Sequence, residues 1–493
     1  MKSNRQISTS TEEAINKVLI SSKKSVNWFR RLGVLGVGMM AITPVINFSS
    51  QAADASNSGA VGTNSVSALT DSDSKCVLTM QKPSWLTDLS VGVRESYDDN
   101  VYAYDVRTGP FDTGIPGSEA GLRRRDSWIT TVSPKVGFNF APLLGKETAF
   151  QTLGINYSPD FVTYHDEDSE SYNLHRVVGA VKGKSGDFSF NAENTFSYID
   201  GNKYGLTYPT DLNAYSTAIV RERREQIQDR YKVDFQYDID DFFVRPTSSL
   251  SYYDLRTEQI NKTGYQNFAD RYDINGGLDL GYKVLPEATL LLGYRHGVQY
   301  QEKYSWNPYA SSSDYERVLA GFETKPLKWL KVNFLAGPDF RSYAQNAAVI
   351  DHHPLRYYGE GNVAATLTDN DSIAFKYKQY QWVSSTGKVP YYDSGYELTY
   401  TRKLNSKVSW NLGARFCDSD YTSGAMNGAY IKRDDAFYML STGITYDITK
   451  NLVADLSYCY NFGRNLQDGL SNEIDDYRKY DRQIVSLGIQ LKF

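Results

Sequence analysis

Apolar and polar residues alternate along most of this chain. Phe493, Leu491, Ile489, Leu487 and Val485 occupy every second position back from the last residue, with Lys492, Gln490, Gly488 and Ser486 between them. A period of two predicts a β-strand with one apolar and one polar face. Upstream, Trp128, Thr130, Val132, Pro134, Val136, Phe138 and Phe140 share a face, and Thr131, Ser133, Lys135, Gly137 and Asn139 lie opposite, with Ile129 out of character. Leu278, Leu280, Tyr282 and Val284 run into Pro286-Glu287 and out through Leu290, Leu292 and Tyr294. Ile373, Phe375 and Tyr377, then Tyr396, Leu398 and Tyr400, then Trp410 and Leu412 keep the same rhythm. Two stretches read less cleanly: Tyr172 to Lys184, where the phase is ambiguous, and a weak strand over Tyr315 to Glu323.

Connections alternate in length. Ser185-Gly-Asp187, Asp369-Asn-Asp371 and Thr449-Lys-Asn451 read as tight turns, whereas the stretches between the hairpins run to roughly 7–30 residues. About eighteen strands (16–18) fit into residues 85–493, an even number with about 23 residues each. The fold class predicted is all-β: a single antiparallel, transmembrane up-and-down β-barrel with short periplasmic turns and long extracellular loops. Pairing the last strand with the first leaves no open edge, which a lipid environment demands. A Phe closing an alternating strand resembles the C-terminal insertion signal of bacterial outer-membrane barrels, which assigns Phe493, Leu491 and Ile489 to barrel closure and to recognition by a barrel-assembly machinery.

Composition supports this once the alternation is taken into account. A mean hydropathy of -0.49 and 23% charged residues argue against spanning helices, but in a barrel only alternate residues meet lipid. The 39 Tyr suit interfacial girdles. The one continuous apolar run, Leu32 to Ile46, is short for a spanning helix, follows Lys23, Lys24, Arg30 and Arg31, and precedes Ser50-Gln51-Ala52. Residues 1–52 are therefore read as a cleaved signal peptide, and residues 53–84, rich in Ser, Asn, Ala, Gly and Asp, as a disordered periplasmic linker too short for a globular plug. Cleavage would remove seven Lys/Arg and two Asp/Glu, moving the formal net charge from -5 to -10 and excluding a general nucleic-acid surface.

Candidate chemistry is sparse. The five His (His165, His175, His296, and the adjacent His352 and His353) form no triad or metal spacing, so neither catalysis, metal nor cofactor is expected. Cys76, Cys417 and Cys459 are read as unpaired, since the last two fall on strands separated by a third, about 9–10 Å apart. Strand phase points Arg94, Lys135, Glu193, Asp279, Arg295, Lys331, Asp339, Arg341, Glu397 and Arg415 into the lumen, together with Asp234, Asp273, Lys283, Lys376 and Lys378. They either constrict a polar pore or pair across strands along a solvated wall. The basic run Arg221-Glu-Arg-Arg-Glu225 reads as a solvated loop end, with pore constriction and binding of acidic lipopolysaccharide as alternatives.

One short motif stands apart. Leu89-Ser-Val-Gly-Val-Arg94 followed by Ser96-Tyr-Asp-Asp-Asn-Val-Tyr102 resembles the opening element of a family of β-barrel porins from Gram-negative bacteria. The resemblance implies a porin-like barrel in the bacterial outer membrane and brings no catalytic residues. Asp98, Asp99 and Asn100 themselves read as turn formers, with a calcium site as the sharper alternative. The expectation is a non-enzymatic channel for passive diffusion of small hydrophilic solutes, in contact with outer-membrane lipid and lipopolysaccharide, with a homo-oligomer left open. The competing expectation is a non-enzymatic barrel that binds surface polysaccharide or assists its export through loops such as Tyr304-Ser-Trp-Asn-Pro-Tyr309.

Overall fold

The computed structural model describes residues 82–101, 103, 124–145, 147–201, 225–256, 269–302, 311–345, 347, 349, 351–383, 390–421, 425–426, 429–430, 433–465 and 480–493. The leader, most of the linker, Cys76, residues 221–224 of the basic run and the Tyr304 to Tyr309 loop lie outside them. Apart from a two-strand pair in one loop, the strands form one closed antiparallel sheet of eighteen spanning strands. They are β1 (Leu86–Asp98), β2 (Ser127–Asn139), β3 (Phe150–Tyr157 and Asp160–Tyr164), β4 (Tyr172–Ser185), β5 (Phe188–Asp200) and β6 (Glu225–Ile239). Then come β7 (Phe242–Asp254), β8 (Arg271–Leu285), β9 (Ala288–Gln301), β10 (Ser313–Leu327), β11 (Leu330–Tyr343) and β12 (Leu355–Thr366). The last six are β13 (Asp371–Val383), β14 (Pro390–Lys403), β15 (Val408–Tyr421), β16 (Arg433–Asp447), β17 (Leu452–Asn465) and β18 (Tyr480–Lys492). The two parts of β3 make one crossing, since both pair with β2 and β4. Pro159 separates them because it has no N–H for the ladder.

Four of the short connections use two residues to reverse the chain. Gly186, at φ 58°, joins Ser185 to Phe188 in a turn that other residues adopt only with strain. Pairing of β1 with β18 closes the cylinder, from Ser90 opposite Lys492 to Asp98 opposite Ile484. The Phe493 N–H extends that ladder by one bond, to the Leu89 carbonyl at 2.8 Å.

The two faces sort as the alternation predicts. Leu292, Leu280, Leu440, Leu456, Leu487 and Ile489 are each about half exposed on the outside, and so is Phe493. A water-soluble protein would cover such a surface; a belt of alternate apolar residues around a closed sheet suits lipid. The inner face is not uniformly polar. Phe243, Leu291, Leu319 and Leu335 pack into a buried cluster against Tyr358, all from inward positions of β7 and β9 to β12. These are the places where Leu290-Leu-Leu292, Val318-Leu319 and Phe334-Leu335 are apolar on both faces. The weak strand at Tyr315 has the same origin, because its aromatic ring points inward and Asp314 and Glu316 point out.

Candidate functional site in the barrel interior

Inside the barrel the candidate charges are mostly paired. Arg94 on β1 donates to Asp455 on β17 at 2.8 Å, reaching over Gly488 of β18, which lies opposite both and has no side chain in the way. Lys135 meets Asp88 at 2.6 Å, Arg295 meets Asp279 at 2.8 Å, and Lys376 meets Glu397 at 3.4 Å. Glu193 stands opposite Lys232 in register, and Arg415 lies over the Phe437 ring at 6.0 Å. Lys331, near the turn end of β11, is exposed. The two signs alternate around the wall and cancel locally, as the solvated-wall reading anticipates.

Asp339 and Arg341 belong to a denser network. Arg317 and Arg341 both donate to Asp339 Oδ2, at 2.8 and 3.1 Å, and all three are almost fully buried. Arg341 also donates to Gln299 at 2.7 Å, and Gln299 and Tyr315 donate to Asp273 at 2.8 and 2.9 Å. Arg317 sits between the rings of Tyr315 and Tyr358, at 4.1 and 4.3 Å. Ion pairing and stacking on aromatic faces offset part of the cost of burying these charges, while Asp339 Oδ1 and Arg341 Nε are left without a hydrogen bond among the described residues.

What closes over this network is the wall itself. Ladder pairing between β12 and β13 runs from Thr366 and Ser372 only as far as Gly359 and Gln379. Leu355 to Tyr358 have no rung with Tyr380 to Val383, although β13 and β14 stay paired up to Val383 and Pro390. The loop end of this hairpin has left the wall and lies inside the bore. Gln381 shares the outward phase of Phe375 and Tyr377, yet it is 1% exposed, because that face now packs on the inner face of β8 to β11. Gln299 donates to the Gln381 carbonyl at 2.7 Å, Arg271 to the Val383 carbonyl, and the Gln381 amide to the Tyr343 hydroxyl. On the opposite face Trp382 meets Tyr253 edge-on at 6.1 Å and takes the Arg271 guanidinium over its ring at 5.4 Å. The Tyr392 hydroxyl bridges back to the Tyr357 carbonyl, where a ladder bond would otherwise be.

The phase itself carried the signal for this. After Tyr377 the lipid-side positions become Gln379 and Gln381, while the lumen-side ones become Tyr380 and Trp382. Polarity inverts at the point where the strand changes sides.

The Asp98-Asp99-Asn100 motif lies at the β1–β18 seam. Arg482 on β18 donates through Nε to both carboxylate oxygens of Asp98, at 2.9 Å each, and again through Nη2. Asp99 accepts from the Gln483 N–H at 2.6 Å and from Arg124, which also reaches Asp481 at 3.1 Å. Asn100 donates to the Asp481 carbonyl at 2.6 Å. These carboxylates are engaged by Arg and amide donors, so the calcium alternative is set aside in favour of a clamp on the barrel seam. Among the described cysteines, Cys417 and Cys459 are free and buried on alternate strands, as their spacing implies.

Fold and faces together define a class, the closed membrane-spanning β-barrel with an ionised interior. No family model and no curated protein matches the chain. Solved structures that resemble it include OccK2 (OpdF) of Pseudomonas aeruginosa in complex with glucuronate, at 10% identity and a TM-score of 0.38 over 82% of this chain and 98% of that one. OccK3 (OpdO) of the same organism follows, at 12% identity and a TM-score of 0.38 over 82% and 96%. The siderophore receptor PirA of P. aeruginosa is similar at 8% identity, with a TM-score of 0.35 over 83% and 80%. Likeness at this level is too weak to support an inference about this chain.

Proposed function

We propose that this protein is an outer-membrane channel through which small hydrophilic solutes diffuse passively. The observation that carries the reading is the combination of an eighteen-strand closed wall, apolar outside, with an inner face of paired ionised groups. Ionised groups that are only partly buried need water beside them, and barrels of this strand number have room for it. In this reading Arg94, Lys135, Glu193, Asp279, Arg295, Lys331, Glu397 and Arg415 line the path, and Asp339 and Arg341 hold the wall. Because the two signs are interleaved, the channel discriminates weakly between anions and cations.

Purified protein added to a planar bilayer in 1 M KCl is expected to give discrete conductance steps with little ion preference. Liposomes carrying it are expected to swell in small sugars and not in large ones. Silent bilayers and non-swelling liposomes would sink the proposal. The same reading places the cleaved N-terminus near Ala53 and the protein in the outer-membrane fraction, which N-terminal sequencing after fractionation checks.

A further inference from the structure

The in-folded end of the β13–β14 hairpin is the feature that the channel reading leaves unused. Within a continuous barrel it is an anomaly, since Tyr380–Val383 forgo four rungs with Leu355–Tyr358. In exchange they gain side-chain partners on three other strands: Gln299 and Arg271, which donate to the segment, and the Tyr343 hydroxyl, which accepts from the Gln381 amide. The wall side is patched by Tyr392, whose hydroxyl serves the Tyr357 carbonyl.

Two arrangements are therefore open to this segment, one held by side-chain bonds to the Gln381, Val383 and Tyr357 carbonyls together with packing, the other by ladder bonds. The first is the seat inside the bore. The second is the extension of the existing register, which sets Tyr358 opposite Tyr380 and Tyr357 opposite Gln381, with both of the latter side chains on the outer face. Moving between them breaks no covalent constraint and leaves the β13–β14 ladder intact. It does require the outward face of β13 to give up its packing on β8 to β11 as a unit, because Gln381 and Trp382 use both faces of the strand at once. A packed interface of this kind has discrete states and does not deform continuously. Glutamines on the outer face are tolerable at the loop end of the strand, where the belt meets polar headgroups.

We infer that the loop end of the β13–β14 hairpin is a gate on the bore: seated inside it narrows the path, and zipped onto β12 it opens it. The inference rests on the channel reading and adds its regulation.

Two disulfide traps that share one cysteine test it, in a Cys76→Ser background with buried Cys417 and Cys459 retained. Gln299→Cys with Gln381→Cys joins the flap to its seat. Tyr357→Cys with Gln381→Cys places two cysteines directly opposite in the extended register, about 4.5–5.5 Å apart at Cα and within disulfide range. Mass spectrometry of digests reads bond formation, and bilayer recordings with and without reductant read conductance. Both bonds are expected to form under an oxidising catalyst. The seat trap is expected to lower conductance at least tenfold, reversibly on reduction, and the wall trap to hold the channel open. Formation of the seat bond alone, or of both with equal conductance, overturns the gate while leaving the channel reading standing. Silence in every form, the wall-trapped one included, overturns the channel reading and the gate with it. Arg271→Ala with Gln299→Ala, which alters no flap residue, provides a second route: heat-modifiable mobility on gels confirms that it is folded, and its open-state occupancy is expected to rise several-fold. Unchanged occupancy counts against the gate.

Discussion

At their loop ends, the two sides of this barrel are built on opposite terms. Along the seam, β1 and β18 pair without a break, and beyond the last rung Asp98, Asp99 and Asn100 grip Asp481, Arg482 and Gln483 through side chains and backbone. A third of the way round the wall, β12 and β13 are joined by eight residue pairs and then part company. Chain connectivity accounts for the difference. Strands β12 and β13 are tethered by a short turn at Thr366 to Asp371 and cannot lose one another, so their ladder is free to split at the far end. Strands β1 and β18 lie at opposite ends of the sequence and have only their own contacts to find and hold each other. Closure is over-determined where no covalent link supports it.

The seam should therefore be the more costly place to damage. Arg482→Met leaves the fully buried Asp98 carboxylate without its partner and should cost about 3–5 kcal/mol. Urea unfolding in detergent measures it, and a loss below 1 kcal/mol would mean that the clamp does not hold the seam. Exchanging the charges, Asp98→Arg with Arg482→Asp, should recover part of the loss.

Outside, the two walls should behave alike. Leu487→Arg on the seam and Leu292→Arg across the bore each put a charge on the lipid face and should each cost about 2–4 kcal/mol if near the midplane. Unequal values from the same titration would show that the contrast between the walls extends to their lipid contacts.

Tyr392→Phe removes one hydroxyl bond at the split and should cost only about 0.5–1.5 kcal/mol in the same unfolding assay. A larger loss would mean that this bond holds the split together and is no mere patch.

Deleting Phe493 should change equilibrium stability least of all, since its ring is 59% exposed and its N–H adds a single rung. If the terminal strand is what the assembly machinery reads, the defect is kinetic, with periplasmic accumulation and proteolysis but near-normal heat stability in whatever inserts. Normal insertion at native expression would remove Phe493 from that role. As a control on the same strand, Gln490→Ala, which removes a hydrogen bond to Ser90, is better than Gly488→Asp, whose side chain would run into Asp455.

The alternation carried nearly the whole fold because it is a property of each strand on its own. Leu280, Tyr282, Leu290 and Leu292 declare an outer face without reference to any neighbour. Phase failed where a residue's role depends on a strand far along the chain. Ile129 and the apolar pair Ala180 and Val181 are buried by neighbours that no local period encodes. Asp98 looked like a turn former because Arg482 lies 384 residues away. Gln381 carried a legible sign, a polar residue on a lipid-side position, but nothing local says which strands would receive it.

The ladders of the sheet join each strand only to its neighbours, and that gives the molecule a mechanical grain. Pulled out of a bilayer by its C-terminus, it would first have to shear the clamp at Arg482 and the nine-pair seam together. After that it would unzip hairpin by hairpin, each step releasing a ladder of similar length. The exceptions are the joint between β12 and β13 and the joint between β2 and the two parts of β3, with eight pairs each. A force trace would read the sequence of joints from β18 toward β1, with the clamp at the start and dips at the two short ladders.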